Sequence, residues 1–288
     1  MKPQDVAHKE GLYATVLNFS AGRQSSALLW MLIRGEINRP ANLLVLNADP
    51  GMENTGTYQY VAYMREEAHK VGIEVVTVPG PNLYRDLIAL KGSARTRLDN
   101  PAYWTLSPSG KVGRLPQKCT RHYKVAPMDR WLRIWLEENH GIGRTSKRLG
   151  EGTVVKWIGF GYDERSRVKP PRRKYIAFDY PLIRLGLTRT DINAYYARNN
   201  LPLPPPSVCN ACFANTVGTF RDMHRERPTD WEQACRVDDS VRNWEQIGVH
   251  DDVYVSRTMK SLRSLPITGF PTNTAAIDAR CNAGYCFL

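Results

Sequence analysis

Short apolar runs alternate with longer segments of helical periodicity over most of the chain. The short runs predict strands at residues 14–19, 42–47, 73–78 and 154–158. The longer segments between them predict helices at residues 25–34, 55–71 and 83–90, the second with Tyr58, Val61, Ala62 and Ala68 on its apolar face. Strands that alternate with helices are typical of an α/β fold, so we expect a parallel sheet flanked by helices.

The second half of the chain continues with predicted helices at residues 125–139, 189–199 and 229–247. Apolar side chains at helical spacing in the first of these are expected in the core, namely Trp131, Leu132, Trp135 and Leu136. A proline-rich stretch at residues 201–206 predicts a domain boundary. We therefore expect an α/β domain at residues 1–200 and a small helical, cysteine-bearing C-terminal region at residues 201–288.

Polar loops follow three of the predicted strands, at residues 20–26, 47–53 and 159–165. In parallel sheets, ligands bind outside the carboxyl ends of the strands, where these loops lie. The first loop is a small-residue turn that leads into a helix, so its backbone N–H groups and hydroxyls can surround an anion. It is not a Walker-type loop, because no lysine follows a glycine, and it does not match G-x-G-x-x-G. Taken alone, it fits an ordinary strand-to-helix turn equally well.

The chain of 288 residues carries a formal net charge of +12, from 40 basic and 28 acidic residues. This balance favours an anionic partner such as a nucleotide or a nucleic acid, with a generally basic surface as the alternative. Residues 91–124 hold eight Lys or Arg against Asp99 alone, together with Tyr103 and Trp104. A second basic cluster comprises Arg165, Arg167, Lys169, Arg172, Arg173 and Lys174. Basic loops that carry aromatic residues suit single-stranded nucleic acid, although a solvated charged loop has the same composition.

Six cysteines in a chain of this length, without a secretory signal, suggest metal, redox or catalytic use rather than a disulfide framework. Cys209 and Cys212 form a C-x-x-C pair, and Cys281 and Cys286 form a C-x4-C pair. The thiolates of a C-x-x-C pair reach one metal ion or cluster, or form a redox pair. A four-sulfur site suits zinc or an iron–sulfur cluster, and unconnected thiols are the alternative.

The remaining cysteines differ in their surroundings. Cys119 lies in the first basic segment, whereas Cys235 lies at helical spacing from Trp231 and is expected to be a packed core thiol. No apolar run reaches the length that spans a bilayer, and the N-terminus lacks the apolar core of a signal peptide. We therefore expect a cytoplasmic protein without a membrane partner.

Several segments, taken in order, resemble one superfamily. Ser20-Ala21-Gly22-Arg23-Gln24-Ser25 resembles the S-G-G-x-D-S loop of the PP-loop ATP pyrophosphatases, and residues 47–53 resemble their motif F-A-D-T-G-x-E. Residues 118–127 are similar to the C-C-x-x-R-K-V-x-P segment of adenylylsulfate and phosphoadenylylsulfate reductases, and residues 157–165 and 209–212 resemble later motifs of these enzymes. The chain thus resembles the phosphoadenosine phosphosulfate reductase family in its phage and bacterial branch. DNA phosphorothioation and tRNA thiolation enzymes are more distant relatives.

This resemblance implies an adenine nucleotide α-hydrolase-like fold that binds ATP with Mg²⁺ at the three strand-end loops. It implies nucleotide contacts from Ser20, Ala21, Gly22, Gln24, Ser25, Ser26, Asn47, Asp49, Gly51, Gly159 and Gly161. Arg165 and Lys124 are the implied catalytic cations. Gln24 stands where the superfamily has an aspartate that helps to organise magnesium, so the chain departs from the superfamily pattern at this position.

The resemblance also implies an iron–sulfur cluster, with zinc as the alternative metal. Its implied ligands are Cys119, Cys209, Cys212 and Cys286, with Cys281 as the alternative fourth ligand. The leading functional expectation is ATP-dependent activation of DNA or tRNA, followed by sulfur transfer from a donor such as a cysteine desulfurase. One alternative is a sulfonucleotide reductase, which the absence of the reductase tail motif E-C-G-x-H disfavours. The other is a non-catalytic nucleotide- or nucleic-acid-binding component with structural zinc.

Overall fold

A computed structural model of the chain describes residues 12–90, 98–143, 150 and 152–266. These residues divide between two compact units. The first unit takes the described residues of Met1–Ala48, Gly56–Pro79 and Met128–Pro205, and the second takes those of Asp49–Thr55, Gly80–Pro127 and Pro206–Leu288. The chain therefore enters the second unit three times, the last time within the proline-rich stretch.

The described strands and helices have the following bounds. The strands are β1 (Ala14–Asn18), β2 (Leu43–Ala48), β3 (Val75–Val78), β4 (Trp104–Leu106), β5 (Val112–Arg114), β6 (Val154–Trp157), β7 (Ile176–Asp179) and β8 (Asp252–Tyr254). The helices are α1 (Arg23–Ile33), α2 (Thr55–His69), α3 (Leu83–Leu90), α4 (Ala126–His140), α5 (Pro181–Arg184), α6 (Arg189–Arg198), α7 (Val217–Glu226) and α8 (Pro228–Val241). A π-helical turn, Arg121–Val125, precedes α4, and a 3₁₀ turn, Tyr162–Arg167, follows β6.

The first unit is built on a five-stranded parallel sheet with the strand order β3–β2–β1–β6–β7. Successive side chains of β1 point to opposite faces, so Leu17 packs with α1, α2 and α6 while Val16 packs with α4. Because both faces of the sheet are covered, the strands read as nearly continuous apolar runs. The predicted α/β fold, with a parallel sheet flanked by helices, is confirmed.

The second unit combines α3, α7 and α8 with a three-stranded antiparallel sheet in the order β5–β4–β8. Tyr103, Trp244 and the fully buried Cys235 belong to its core, so Cys235 is a packed core thiol as predicted. The sequence did not predict β4 and β5, which lie in the basic segment 91–124. Strands of three residues are too short to leave a recognisable period.

Three expectations about helices are wrong in detail. Helix α8 ends at Val241, and a separate 3₁₀ turn, Glu245–Ile247, follows it, with the side chain of Asn243 accepting a hydrogen bond from the first amide of that turn. Tyr58 and Ala62 of α2 are exposed, because the buried stripe follows Tyr60, Val61, Met64 and Ala68. Trp131 and Trp135 of α4 are half-buried, and the core takes the neighbouring leucines instead.

The described helices are short. The longest, α2 and α4, have 15 residues each. Within the described ranges, no helix has both the length and the apolar composition needed to cross a membrane.

Candidate functional site

The turn between β1 and α1 lies where the strand order of the first unit reverses. β1 has β2 on one side and β6 on the other, so the connections that follow β1 and β6 leave the sheet in opposite directions. In parallel α/β sheets, ligands bind in the crevice at such a point, outside the carboxyl ends of the strands. The predicted anion-binding turn, residues 20–26, therefore lies at the place where this kind of fold binds ligands.

Hydroxyl groups fix the conformation of this turn. The Oγ atoms of Ser20 and Ser25 lie 3.0 Å apart, and the amides of Ser20 and Gly22 donate to these hydroxyls at 3.2 Å and 3.3 Å. Ala21 has a φ of 56°, in the left-handed region that is strained for residues other than glycine. Helix α1 then begins with Gly22 as N-cap and without a side-chain cap, and the N-terminus of a helix is a place where anions bind.

The loop after β6 comes very close to this turn because Gly159 has no side chain. A Cβ on Gly159 would lie 2.8 Å from the amide nitrogen and 3.0 Å from the Cα of Ser25. A Cβ on Gly161 would lie 2.7 Å from Oδ1 of Asp163 and 3.3 Å from the carbonyl oxygen of Leu187. Gly159 is therefore required for space, and it brings the loops after β1 and β6 into direct contact, whereas the atom nearest to Gly161 is the end of a side chain that can move.

Gln24 is held by a residue that the sequence did not single out as its partner. Its Nε2 donates to Oε2 of Glu164 at 3.0 Å, and both side chains are buried. Glu164 also pairs with Arg167 and accepts a hydrogen bond from the amide of Gly161 at 3.3 Å. The guanidinium of Arg167 lies 4.2 Å from the ring centroid of Phe160. The side chain of Gln24 thus belongs to a buried polar network that already contains one carboxylate.

Other predicted residues of the first unit take different positions. Ser26 is fully buried, and Nδ2 of Asn47 donates to the carbonyl of Phe19 at 2.9 Å, which joins the ends of β2 and β1. Oδ1 of Asn18 is buried and has no hydrogen-bond partner in the part of the chain that the structure describes. Buried acceptors are normally satisfied, so this atom is a candidate ligand contact. Arg165 is exposed, with its guanidinium 4.8 Å from the ring centroid of Tyr162.

The two remaining predicted nucleotide contacts, Asp49 and Gly51, belong to the second unit. Oδ1 of Asp49 accepts a hydrogen bond from the amide of Gly51 at 2.7 Å. Gly51 has a φ of 72°, and a Cβ there would overlap the side chain of Asn82. These residues form a tight turn in which glycine is needed both for conformation and for space.

Three thiols line one pocket of the second unit, those of Cys119, Cys209 and Cys212. The amide of Cys212 donates to the carbonyl of Cys209 at 3.1 Å, so the C-x-x-C pair forms a tight turn. Cys119 precedes the π-helical turn, a feature that is frequent at functional sites. Much of the remaining lining is apolar, including Pro50, Met52, Leu83, Pro101, Val208 and Phe213.

Charged and polar groups also reach this pocket. Lys124 lines it, and its Nζ lies 2.7 Å from Oε1 of Glu53. Burial raises the pKa of the Cys209 thiol well above its usual range, Glu53 adds to the rise, and Lys124 opposes it. Burial also raises the pKa of the hydroxyl of Tyr103, which is fully buried, and the neighbouring thiols add to this rise. The sequence interpreted Tyr103 as an aromatic residue of a basic, nucleic-acid-binding loop, which is wrong: its side chain is fully buried in the core of the second unit, near the thiols.

The donor chemistry of the pocket fits a thiolate-bound group. Three soft sulfur donors in mainly apolar surroundings suit an iron–sulfur cluster or zinc. Within the described residues, no group of three or more His, Cys, Asp or Glu side chains is arranged to hold a metal ion. Cys281 and Cys286, the expected fourth ligand and its alternative, lie outside the described residues.

Comparison of the chain with models of known protein families gives no match, and comparison with curated proteins gives none.

Proposed function

We propose that the first unit binds ATP and that the protein uses it to activate a nucleic acid for sulfur transfer. The approach of Gly159 to the backbone of Ser25, where the strand order reverses, is the observation that carries this proposal. In the proposal, the triphosphate is bound by the first amides of α1, which have no side-chain cap, and by the hydroxyls of the turn. Such an arrangement is expected of a PP-loop ATP pyrophosphatase, the superfamily that the sequence resembles.

The proposed reaction has two steps. A carbonyl oxygen of the substrate attacks the α-phosphorus of ATP, so an oxygen–phosphorus bond forms, the bond from the α-phosphorus to the bridging oxygen breaks, and pyrophosphate leaves. The terminal sulfur of a persulfide on a separate donor, such as a cysteine desulfurase, then attacks the activated carbon, so a carbon–sulfur bond forms and AMP leaves with the oxygen. A thiol reductant cleaves the remaining sulfur–sulfur bond and forms a disulfide with the donor cysteine, which leaves one sulfur on the substrate. Arg165 is exposed at the carboxyl end of β6, and in the proposal its guanidinium neutralises charge on the departing pyrophosphate.

The pocket of the second unit has a separate role in this proposal. Cys119, Cys209 and Cys212 would hold an iron–sulfur cluster, which when bound would hold or deliver sulfur. Lys124, fixed by Glu53, supplies a positive charge to the pocket. Lys124 lowers the pKa of the Cys209 thiol and so opposes the larger rise that burial and Glu53 cause.

One observation favours a second candidate function, that of a nucleotide-binding component without catalytic activity. Gln24 stands where the resemblance implies a magnesium-organising aspartate, and its amide is already bound to Glu164. A neutral amide oxygen is a weaker ligand for Mg²⁺ than a carboxylate. In this case the protein binds ATP without releasing pyrophosphate.

Turnover of ATP labelled at the α-phosphate tests both candidates. Anaerobically purified protein is incubated with Mg²⁺, ATP, a sulfur donor and either tRNA or DNA, and equal amounts of AMP and pyrophosphate are expected only with nucleic acid. Gly159→Ala should abolish the reaction, because the new methyl group displaces the backbone of Ser25. Gly150→Ala is the matched control, since its Cβ would lie 3.7 Å from Cγ2 of Thr153, an ordinary contact.

The outcomes separate the candidates. A thermal shift with ATP but no AMP supports the non-catalytic component. The absence of both a thermal shift and AMP formation refutes the two candidates together. Sulfite release from a sulfonucleotide, with a thiol reductant and without nucleic acid, would instead favour the reductase.

A further inference from the structure

A basic loop connects β6 to β7 along the first unit. We define the 165–174 loop by its first and last cations, Arg165 and Lys174. The two strands are parallel, with Val154 paired to Ile176 and Trp157 to Asp179. The connection must therefore return along the length of the strands, a distance of about 10 Å at roughly 3.3 Å per residue. The cations of the loop occupy successive positions of this returning connection.

Contacts with the rest of the unit hold the backbone of this loop. Arg167 lies between the carboxylate of Glu164 and the ring of Phe160. The hydroxyl of Tyr180 donates to the carbonyl of Lys169 at 3.4 Å, and the amide of Gly152 donates to the carbonyl of Lys174 at 3.1 Å. Because the backbone is fixed at several points, binding of a ligand to its side chains costs less conformational entropy.

Three cations of the loop have charges that are not neutralised within the described chain. Lys169, Arg172 and Lys174 are exposed and form no ion pair with a described residue. The nearby acidic side chains are engaged elsewhere: Glu164 with Arg167, Asp163 with the amide of Arg189, and Asp129 with Lys156 and Arg173. These three cations are therefore available to an external polyanion.

An aromatic platform lies beside the first cation. The ring of Tyr162 is 43% exposed, and the guanidinium of Arg165 lies 4.8 Å from its centroid. Val168, which is 44% exposed, adds apolar surface within the loop. Aromatic and guanidinium planes stack on unpaired bases, whereas a duplex keeps its bases stacked on one another. Cations along the loop together with such a platform favour a single strand.

We propose that the 165–174 loop and Tyr162 bind single-stranded nucleic acid. Phosphates contact Lys169, Arg172 and Lys174, and one base stacks on Tyr162. The proposal rests on the proposed function for its biological role, since it says where the activated polymer is held. Binding at this surface does not itself require ATP or turnover, so it can be measured separately.

Fluorescence anisotropy with a short labelled oligonucleotide tests the proposal. Full-length protein is titrated without ATP against single-stranded RNA, single-stranded DNA and a duplex of the same length, over a range of salt concentrations. Each phosphate contact adds roughly 0.7 to the magnitude of the slope of log affinity against log salt. A triple variant that removes three contacts should therefore reduce this magnitude by about 2, and its substitutions are Lys169→Gln, Arg172→Gln and Lys174→Gln. At low salt this triple variant should bind about tenfold or more weakly.

A charge-matched triple variant provides the control. Arg130→Gln, Arg198→Gln and Lys260→Gln remove three exposed cations from outside the loop and should leave the affinity and the salt slope nearly unchanged. Both triple variants should keep the thermal shift with ATP, which shows that the fold and the nucleotide site are intact. Tyr162→Phe keeps the ring and should bind normally, whereas Tyr162→Ala should lose about tenfold in affinity with the same salt slope.

Two results would overturn the proposal: equal losses in the two triple variants, or a duplex that binds more tightly than the single strand. Failure of the proposed function gives a different result. In that case the loop variants still lose strand binding, but the unaltered protein forms no AMP.

Discussion

Gln24 donates a hydrogen bond from Nε2 to Oε2 of Glu164 at 3.0 Å, and both side chains are buried. Glu164 also pairs with Arg167, so the network contains one carboxylate, one guanidinium and one amide donor. An acid at position 24 would lose this donor and face a second carboxylate. The amide of Gln24 therefore has a structural role of its own, whatever its effect on magnesium.

Gln24→Glu should lower the free energy of unfolding by about 1–3 kcal/mol at neutral pH, because a buried donor is replaced by a like charge. Mg²⁺ should restore part of the loss, since two carboxylates can share the ion. Urea denaturation with and without Mg²⁺ measures both effects. The control combines Gln24→Glu with Glu164→Gln, which restores one donor and one acceptor. If Gln24→Glu alone is as stable as the unaltered protein, the hydrogen bond between Gln24 and Glu164 contributes nothing to stability.

Replacement of any one pocket cysteine by serine should remove most of the metal that the protein binds after anaerobic purification, because a hydroxyl is a poor ligand for soft metals. The three variants are Cys119→Ser, Cys209→Ser and Cys212→Ser. Metal analysis and the visible absorption spectrum measure this and distinguish iron from zinc. Cys235→Ala is the control and should keep the metal, since Cys235 is packed within the core of the second unit. Metal retained in all three serine variants would exclude the pocket as the metal site.

Cys235 should resist alkylation in the folded protein. Burial raises the pKa of its thiol from an ordinary 9.0 to about 12. Only the thiolate reacts, and at about pH 8 it makes up roughly one part in ten thousand. Between pH 9.0 and about 12, the Cys235 thiol is deprotonated in the unfolded chain but still protonated in the folded protein. Its contribution to stability is therefore present below pH 9.0 and is lost as the pH rises toward 12. Peptide mass spectrometry after iodoacetamide treatment, with and without urea, checks this. Equal labelling in both conditions would contradict it.

Asp238→Asn should destabilise the protein by about 2–4 kcal/mol, because the side chain is fully buried and an amide NH₂ would replace one of the two oxygens that now accept hydrogen bonds. Asp238 accepts these hydrogen bonds from the amides of Val255 and Leu262 at 3.0 Å each, which hold the end of the described chain. Chemical denaturation measures the loss. Asp239→Asn is the matched control on the neighbouring residue: Asp239 pairs with Arg263 at the surface, so it should cost less than about 1 kcal/mol.

The same carboxyl gives a pH dependence with a definite sign. Burial raises the pKa of Asp238 above its ordinary 3.8, and Arg242 opposes the rise. Just above pH 3.8, the folded state therefore holds the proton more strongly than the unfolded state, so this group's contribution to stability falls as the pH rises. Denaturation curves at several pH values should show this trend in the unaltered protein and not in Asp238→Asn. The same slope in both proteins would assign it to other groups.

The sequence by itself determined the layers of the first unit and the location of its candidate site. Apolar periodicity reports which faces are buried, so it predicted β1, β2, β3 and β6, the flanking helices and the small-residue turn that follows β1. It also predicted Cys235 as a core thiol from its spacing to Trp231. These features depend on neighbours along the chain, which a single sequence contains.

Only the tertiary structure decided which distant residues meet. Gln24 and Glu164 are 140 positions apart, and no local pattern links an amide to a carboxylate over that distance. The resemblance implied a nucleotide contact at Gly159, but its requirement for space appears only when the backbone of Ser25 lies against it. The resemblance implied that Cys119 shares a ligand set with Cys209 and Cys212, and packing in the second unit brings the three thiols to one pocket. These residues meet only when the helices and strands pack together. Their contacts therefore depend on the shape and burial of the folded core and not on the sequence around each residue.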